Sequence, residues 1–194
     1  MLHLLNTKED IIRLIQSDES MMEMIITAST LNLPDWWICA GLIRTKIWDT
    51  LHGYSERTNS PDVDVIYFDK ENINELYEKD LENKLKSILP TIPWSVKNQA
   101  RMHTINQLPP YTSSEDAISK FPETATSLGV KLDKNNKLIL TAPHGIEDVV
   151  QLIIKPTPTF IETERLATIY EERLVKKNWK DTWYKLNVQH INKN

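Results

Sequence analysis

The sequence contains one cysteine, four glycines and no long apolar run in its 194 residues. The single cysteine, Cys39, excludes an intramolecular disulfide, which is typical of a reducing compartment. No stretch approaches the roughly 20 apolar residues of a membrane-spanning helix. The N-terminus also lacks the basic, apolar and small-residue regions of a signal peptide. These absences predict a cytoplasmic protein with no membrane partner.

The sequence also has no excess of basic residues. It contains 23 lysines and arginines and 27 aspartates and glutamates, which gives a net charge of −4. This charge balance argues against nucleic-acid binding through an extended basic surface, although a local basic cleft is compatible with it. The length favours a single domain over residues 1–194, large enough for a substantial core. Helical patterns stand at both its N-terminal and its C-terminal end.

The first informative pattern is an apolar run that a glycine interrupts. Residues 36–40 predict a buried strand, and residues 42–51 have helical spacing. Gly41 stands between them, at a turn where a phosphate can approach the backbone N–H groups that begin the helix. Arg44 lies in the first helical turn. A lone arginine there is usually solvated, but beside a phosphate site the same position would let it bind the phosphate. Gly41 and Arg44 are therefore candidate phosphate-binding residues.

The second pattern is a pair of aspartates, Asp62 and Asp64, at the start of a predicted strand over residues 62–68. Alternate side chains of a strand point to the same face, so the two carboxylates would project together. Neighbouring carboxylates repel, and a divalent cation neutralises them best. An Asp-x-Asp pattern alone is weak evidence for a functional site. Aspartate is disfavoured in strands, however, so two aspartates at alternate strand positions indicate a functional role. With the glycine turn, they predict a site for a metal–nucleoside triphosphate.

A third strand is predicted by alternation over residues 94–103, with Lys97 and Arg101 on its polar face. An exposed edge strand has the same pattern. In the alternative, Lys97 and Arg101 line the cleft and balance the charge of the metal–triphosphate. Further along, residues 126–142 predict a β-hairpin, and residues 162–177 predict a closing helix.

These pieces resemble the head motif of the nucleotidyltransferase superfamily. The segment Gly41-Leu42-Ile43-Arg44 followed by Asp62-x-Asp64 is similar to the Gly-Gly-x-Val-Arg form of tRNA-nucleotidyltransferase and poly(A)-polymerase heads. More narrowly, the chain resembles an uncharacterised bacterial family of nucleotidyltransferase-like proteins. The matching segments are residues 41–54, 62–69, 98–103, 142–148 and 177–179. Two departures are Ala40 in place of the first glycine and a longer gap from Gly41 to Asp62 than in the tRNA enzymes.

The resemblance implies an α+β fold with a polymerase-β-like mixed sheet flanked by helices. It implies that Asp62 and Asp64 are catalytic and hold Mg²⁺, which bridges the triphosphate of an NTP and lowers the pKa of an acceptor hydroxyl. It also implies that the Gly41 N–H and the helix start hold the phosphates. The reaction would transfer a nucleoside monophosphate and release pyrophosphate. The acceptor stays open between a small molecule, a protein side chain and a short nucleic acid.

The superfamily usually has a third carboxylate on an adjacent strand, and the predicted third strand offers none. Asn98 is the nearest substitute there. Elsewhere the candidates are Asp69, Glu147 and Asp148. We predict that Asp148 completes the metal site, because the break in the chain at residues 143–145 could direct Asp148 toward the sheet edge. In the alternative, Asp148 only caps a turn or the start of a helix. Without such a carboxylate, the sequence fits a catalytically degenerate nucleotide-binding protein or a partner-binding module on the same fold.

Overall fold

The structure is a computed structural model that describes residues 5–58 and 62–191. Its helices are α1 (Lys8–Gln16), α2 (Glu19–Ser29), α3 (Gly41–His52), α4 (Glu75–Ile88), α5 (Gln99–Met102), α6 (Ser114–Ser119), α7 (Glu147–Val150) and α8 (Glu164–Lys177). Its strands are β1 (Trp37–Cys39), β2 (Val63–Tyr67), β3 (Trp94–Asn98), β4 (Gly129–Leu132), β5 (Leu138–Thr141), β6 (Ile153–Ile154) and β7 (Asn187–Val188). Short 3₁₀ turns lie at Thr124–Thr126, Pro158–Ile161 and Trp179–Asp181. None of the helices in these ranges is long and apolar enough to cross a membrane.

Five of the strands form one mixed sheet in the order β3-β2-β1-β4-β5. β1 lies at its centre and runs antiparallel to both β2 and β4, and β4 runs antiparallel to β5. β2 and β3 are parallel, and α4 connects them. The remaining two strands, β6 and β7, form a separate parallel pair. The predicted α+β class with a mixed sheet is therefore confirmed.

One face of the sheet is covered by helices and holds the main core. Ile38, Val65, Val96 and Val130 lie on this face in register with one another, and all are fully buried. They pack in one cluster with apolar side chains of α1, α2, α3 and α4. This packing fixes β1 and β2 side by side, so the ends of both strands lie in a rigid frame.

The opposite face carries a smaller cluster and leaves polar positions accessible. Trp37, Cys39 and Ile66 pack there against Ile118 of α6. Alternation along β2 puts Asp64 on this second face, where it stands between Cys39 of β1 and its other cross-strand neighbour on β3. The candidate carboxylate is thus directed away from the main core.

Two boundaries correct the sequence-based expectations. The predicted strand over residues 94–103 ends at Asn98, because the Asn98 side chain accepts a hydrogen bond from the Ala100 N–H (3.0 Å) and caps α5. Arg101 therefore lies on a helix and does not share a strand face with Lys97. Asp62 lies just ahead of β2, which begins at Val63. The predicted hairpin is confirmed as β4–β5, and the closing helix is confirmed as α8.

Candidate active site

The turn from β1 into α3 adopts an uncommon backbone conformation at Ala40, with φ 51° and ψ −104°. The Ala40 N–H donates to the Leu128 carbonyl, and the Ala40 carbonyl accepts from the Arg44 N–H, which opens the helix. No side chain caps α3. The N–H groups of its first turn, beginning at Gly41, therefore have no partner within the helix and carry its partial positive charge.

The two aspartates interact electrostatically at the edge of the second face. Burial raises the pKa of Asp64 above its usual value, and the neighbouring Asp62 carboxylate adds to that rise. A hydrogen bond from the Ser95 side chain and the positive charges of Lys177 and Arg173 act in the opposite direction. Asp62 itself is exposed. The pair is therefore a partly buried carboxylate beside a solvated one, an arrangement that a bound cation would stabilise.

Arg44 is 5% exposed and lies inside a cage of indoles. Its Cζ stands 5.0 Å from the ring centroid of Trp48, 4.9 Å from Trp179 and 6.0 Å from Trp183. Its Nε has no hydrogen-bond partner in the described structure. Burial lowers the pKa of Arg44 to about 10, so the guanidinium keeps its charge at neutral pH. A buried cation with an unpaired donor is costly, and an anionic ligand would satisfy it.

The cage depends on the chain segment that follows α8. That helix ends at Asn178 in the left-handed conformation (φ 38°, ψ 48°), which turns the chain so that Trp179 and Trp183 face Trp48. The Trp183 Nε1–H donates to Asp49 Oδ1 at 2.8 Å and anchors the segment to α3. These contacts pack the end of α8 onto the body of the protein.

Two further cations reach the site from the last turns of α8. Arg173 donates from Nε to Glu123 Oε1 at 2.5 Å, and the fully buried Glu123 also accepts from the Thr126 hydroxyl. The pKa of Lys177 is lowered by burial first and then by the nearby charges of Arg173 and Arg44. Three cations thus lie close enough to influence one another beside the Asp64 carboxylate.

A cavity of about 250 Å³ joins these elements. It is lined by Cys39, Ala40, Asp64, Ile66, Lys97, Gln99, Met102, Phe121, Pro122, Thr126 and Arg173. The turn at Ala40, the carboxylate of Asp64 and the guanidinium of Arg173 therefore open onto the same space. The volume is below the range of about 300–1,000 Å³ that is usual for whole small-molecule ligands. A nucleotide would place only part of itself inside.

Lys97 and Arg101 are placed differently from each other. Lys97 lines the cavity, with its Nζ 3.6 Å from Glu78 Oε2 and 3.9 Å from Glu82 Oε1 on α4. Arg101 is not a lining residue; its Nε and Nη2 both donate to the buried Glu78 carboxylate. The ion pairs with α4 therefore offset much of the charge that both residues were expected to bring to the phosphates.

The structure does not bring Asp148 to the two aspartates. Asp148 lies in the first turn of α7 and pairs with Lys155 at 3.0 Å. The Trp48 indole donates to the Val149 carbonyl, which holds α7 against α3. Across residues 5–58 and 62–191, no group of three or more histidine, cysteine, aspartate or glutamate side chains could hold a metal ion. The expected three-carboxylate arrangement is therefore absent from this part of the chain, and Ser95 faces Asp64 from β3.

Arg173 and Lys177 were not among the residues selected from the sequence. Their spacing of four places them on one side of α8, which is a signal that was available. Lys177 also belongs to one of the segments that match the nucleotidyltransferase-like family. What the sequence does not reveal is that Arg173 of the C-terminal helix lines the same cavity as Asp64 of β2.

Comparison with known families and structures gives a consistent result over nearly the whole chain. A family model described as "Nucleotidyltransferase" matches residues 26–188. A protein whose NMR structure is described as revealing a CCA-adding enzyme head domain is 34% identical in sequence. The alignment covers 98% of this chain and 100% of that chain, with a TM-score of 0.88. A sequence comparison with curated proteins gives no match.

More distant structures share the fold. The Thermotoga maritima CCA-adding enzyme in complex with tRNA is 12% identical, with a TM-score of 0.57, over 95% of this chain and 43% of that chain. A CCA-adding enzyme in complex with CTP is 14% identical, with a TM-score of 0.54, over 91% of this chain and 41% of that chain. The present chain therefore spans less than half the length of those enzymes.

Proposed function

The chain belongs to the nucleotidyltransferase family, and on that premise we propose that it transfers a nucleoside monophosphate from an NTP to an acceptor with the help of Mg²⁺. The observation that carries this proposal is the shared cavity. It brings Asp64, Arg173 and Ala40, the residue that precedes the uncapped start of α3, to one space. Anionic and cationic groups that meet in this way suit a metal and a phosphate chain together.

The residues present fit a magnesium ion. Members of this family generally use divalent metal ions. Magnesium is commonly held by one or two carboxylates, with water and substrate phosphates as its remaining ligands. Asp62 and Asp64 supply that number of carboxylates, and a cation would offset the burial and the Asp62 charge that raise the pKa of Asp64. When bound, the ion would polarise the phosphoryl oxygens and make an acceptor hydroxyl more acidic.

The chain's own groups would position the phosphates for an in-line displacement. The acceptor hydroxyl oxygen forms a bond to the α-phosphorus, and its proton passes to water. The bond from that phosphorus to the bridging oxygen breaks, so pyrophosphate leaves with the electron pair. Arg44 and the N–H groups that begin α3 at Gly41 hold the negative charge that builds on the phosphates. Lys97 adds positive charge to the wall of the cavity, whereas Arg101 is engaged by Glu78.

The CCA-adding enzymes of similar fold are described in complex with CTP, ATP and tRNA. We carry over to this chain only the class of donor, an NTP. The acceptor stays among the three classes given above, because net charge of −4 supplies no broad surface for RNA. We also propose a cytoplasmic location, since a single cysteine allows no intramolecular disulfide.

Release of pyrophosphate tests the proposed activity. Wild-type protein with each of the four NTPs and a mixture of candidate acceptors should release pyrophosphate only when Mg²⁺ is present. The double variant Asp62→Asn/Asp64→Asn should release none and should lose the Mg²⁺-dependent part of NTP affinity in calorimetry. Thermal unfolding of the same samples controls for folding. An unchanged Mg²⁺-dependent NTP affinity in the double variant would remove the metal from these residues.

A second candidate function is nucleotide binding without turnover. It is favoured by one observation, the absence of a third metal-binding carboxylate beside Asp64 in the described residues, where Ser95 takes the facing position. Two aspartates hold one ion well, and two-metal catalysis usually needs more. Measurable Mg²⁺–NTP binding without pyrophosphate release under any acceptor condition would select this candidate.

A further inference from the structure

We propose that the end of the cavity beside α5 binds the nucleobase of the donor nucleotide, with Gln99 at the edge of the base. This inference rests on the proposed function, which identifies the ligand as an NTP. It deepens that function by assigning a part of the cavity in which no phosphate is expected. We call this region the α5 end and define it by Ile66, Gln99, Met102 and Phe121, all of which line the cavity.

The register of the sheet sets the two ends of the cavity apart. Ala40 lies beside the beginning of β2, because its neighbour Cys39 pairs with Asp64. Gln99 lies beside the other end of β2, because Asn98 pairs with the last residue of that strand. Asp64 and that last residue are three positions apart, which is roughly 10 Å along a strand. Since Ala40 and Gln99 both line the cavity, it runs along β2 from the start of α3 to the start of α5.

The charged groups of the cavity lie toward the start of α3. Asp64 is placed there by register. Arg173 is placed there by Trp179, because the indole stands 5.6 Å from the Arg173 Cζ and 4.9 Å from the Cζ of Arg44 in the first turn of α3. Toward α5, the Lys97 ammonium is engaged by two carboxylates of α4 at 3.6 and 3.9 Å. Phosphates therefore find their partners at the start of α3, and the α5 end is left for another part of the nucleotide.

The α5 end combines apolar side chains with one buried amide. Ile66 belongs to the sheet surface, and Phe121 packs against the cluster that contains Ile66. Met102 adds an adaptable thioether from α5. Gln99 is 5% exposed, and it is the one amide side chain among the lining residues that the structure describes. Apolar walls with a few polar groups directed inward are typical of small-molecule sites, and a planar base has apolar faces and a polar edge.

The Gln99 amide has hydrogen-bonding capacity to spare. Its Nε2 donates to the Lys97 carbonyl at 3.4 Å, which is a long hydrogen bond. Its Oε1 accepts from no group of residues 5–58 and 62–191. A buried amide oxygen without a donor is costly, so this atom points to a ligand. The amide offers an acceptor beside a donor, which matches the hydrogen-bonding edge of a nucleobase.

In a purely structural explanation, Gln99 only supports the turn from β3 into α5, and the α5 end is a gap in the packing. The two explanations differ in what a base adds to binding. Ribose 5-triphosphate has the sugar and the phosphates of an NTP but lacks the base. The structural explanation predicts equal affinity for the two ligands. The nucleobase subsite predicts that at least one NTP binds about tenfold more tightly or better, because the base adds stacking and hydrogen bonds.

The experiment is calorimetric titration of the full chain with each of the four NTPs and with ribose 5-triphosphate, with and without Mg²⁺. Gln99→Met keeps the length of the side chain and removes the amide. It should weaken the tightest NTP roughly tenfold and leave the affinity for ribose 5-triphosphate within about twofold. Gln16→Met, the same change at an exposed position of α1, should bind both ligands as wild type does. The Gln99 amide bonds only to a neighbouring carbonyl in the described chain, so its replacement should leave the fold intact, as urea unfolding checks.

The aromatic wall is tested by a second pair of variants. Phe121→Leu keeps an apolar side chain and removes the ring, so stacking on the base is lost. NTP affinity should fall about fivefold or more, and the affinity for ribose 5-triphosphate should stay within about twofold. Phe121→Tyr keeps the ring and should bind NTP within about twofold of wild type. Urea unfolding of both variants confirms that folded proteins are compared.

The outcomes separate this inference from the proposed function. A selective loss of NTP affinity in Gln99→Met and Phe121→Leu supports the subsite, even if no pyrophosphate is released. NTP binding no tighter than that of ribose 5-triphosphate, or wild-type NTP affinity in Gln99→Met, overturns the subsite, even if Mg²⁺-dependent transfer is observed. Unchanged NTP affinity in Gln99→Met together with a raised KM for the acceptor would assign the α5 end to the acceptor and likewise overturn it.

Discussion

Asp64 is the residue whose protonation is most directly set by the site. Because burial and then Asp62 raise its folded pKa, the folded chain keeps the proton at pH values where the unfolded chain has released it. The free energy of unfolding therefore falls as pH rises through the interval between the ordinary aspartate pKa and the raised folded value. Asp64→Asn should remove this loss and stabilise the protein by up to about 1 kcal/mol at pH 7, with no gain below about pH 4.

Urea unfolding over a pH series measures this difference. Asp133 in the β4–β5 turn is a control of opposite sign, because hydrogen bonds from the backbone N–H groups of Lys137 and Asn135 lower its pKa. Its contribution to stability is present at neutral pH and is lost as pH falls through the lowered value. Asp133→Asn should therefore lose stability at neutral pH. A pH-independent offset for Asp64→Asn would contradict the electrostatic explanation.

Arg44 provides the second prediction for a single residue. Arg44→Met replaces a buried, unpaired cation by an apolar side chain, so the lost cation–π contacts with Trp48 and Trp179 are offset by the relief of desolvation. The free energy of unfolding should change by no more than about 1 kcal/mol. Affinity for NTP should fall roughly tenfold or more, since only phosphates need the charge. Titration with the matching nucleoside is the control, and equal losses for both ligands would make Arg44 structural.

At the scale of elements, the β1–α3 turn allows two adjacent substitutions with opposite results. Ala40→Gly should keep NTP binding and raise the free energy of unfolding by up to about 1 kcal/mol. The positive φ of Ala40 costs a non-glycine residue about 1–2 kcal/mol, and glycine removes this strain. Part of the gain is lost because glycine makes the unfolded chain more flexible. Gly41→Val should block NTP binding through its added side chain. Calorimetry and urea unfolding measure the two effects. Far-ultraviolet circular dichroism checks that α3 still forms in Gly41→Val.

The β3–α5 junction depends on one buried amide. Asn98 accepts from the N–H groups of Asp69 and Ala100 and donates to the carbonyls of Asp69 and Asn72. Asn98→Ala leaves these buried groups without partners and should cost about 2–4 kcal/mol in urea unfolding. The exposed Asn135→Ala variant should change stability by less than about 0.5 kcal/mol. A small effect at Asn98 would show that water replaces the lost amide.

The same junction shows where local sequence patterns stop being informative. β1, α3 and the β4–β5 hairpin were predictable, because an apolar run, helical spacing of apolar residues and a polar turn can each be recognised within a few residues. The end of β3 was not, because polar residues at Lys97 and Arg101 fit alternation in a strand and also one turn of a helix. The carboxylate Glu78, which attracts both, belongs to a different element.

The site follows the same division. Asp62, Asp64, Gly41 and Arg44 could be selected because two short segments each carry a recognisable pattern. Arg173 comes more than a hundred residues later, and only the folded chain brings it to the cavity that Asp64 also lines. Asp148 was selected for a break in the chain that was expected to redirect it. Instead, the packing of α7 on α3 and the ion pair with Lys155 fix its position.

At the scale of the whole molecule, the net charge is −4, although Arg44, Arg173 and Lys177 form a local group of cations. If tRNA binds at all, it should contact little more than that group. We expect a dissociation constant above about 10 µM at physiological salt and a slope of log affinity against log salt no steeper than about −3. Filter binding at several salt concentrations measures both quantities. A steep slope with tight binding would reveal a basic surface that overall composition conceals.

The indole cage around Arg44 has an optical consequence. Three of the six tryptophans of the chain surround a single guanidinium, and indole emission responds to a nearby charge. When phosphate oxygens arrive beside that cation, the field on all three rings changes together. Occupancy of the site should therefore be visible in the ultraviolet fluorescence of the unlabelled protein. The C-terminal tryptophans, whose packing completes the cage, thereby give the chain an intrinsic reporter of its own ligand.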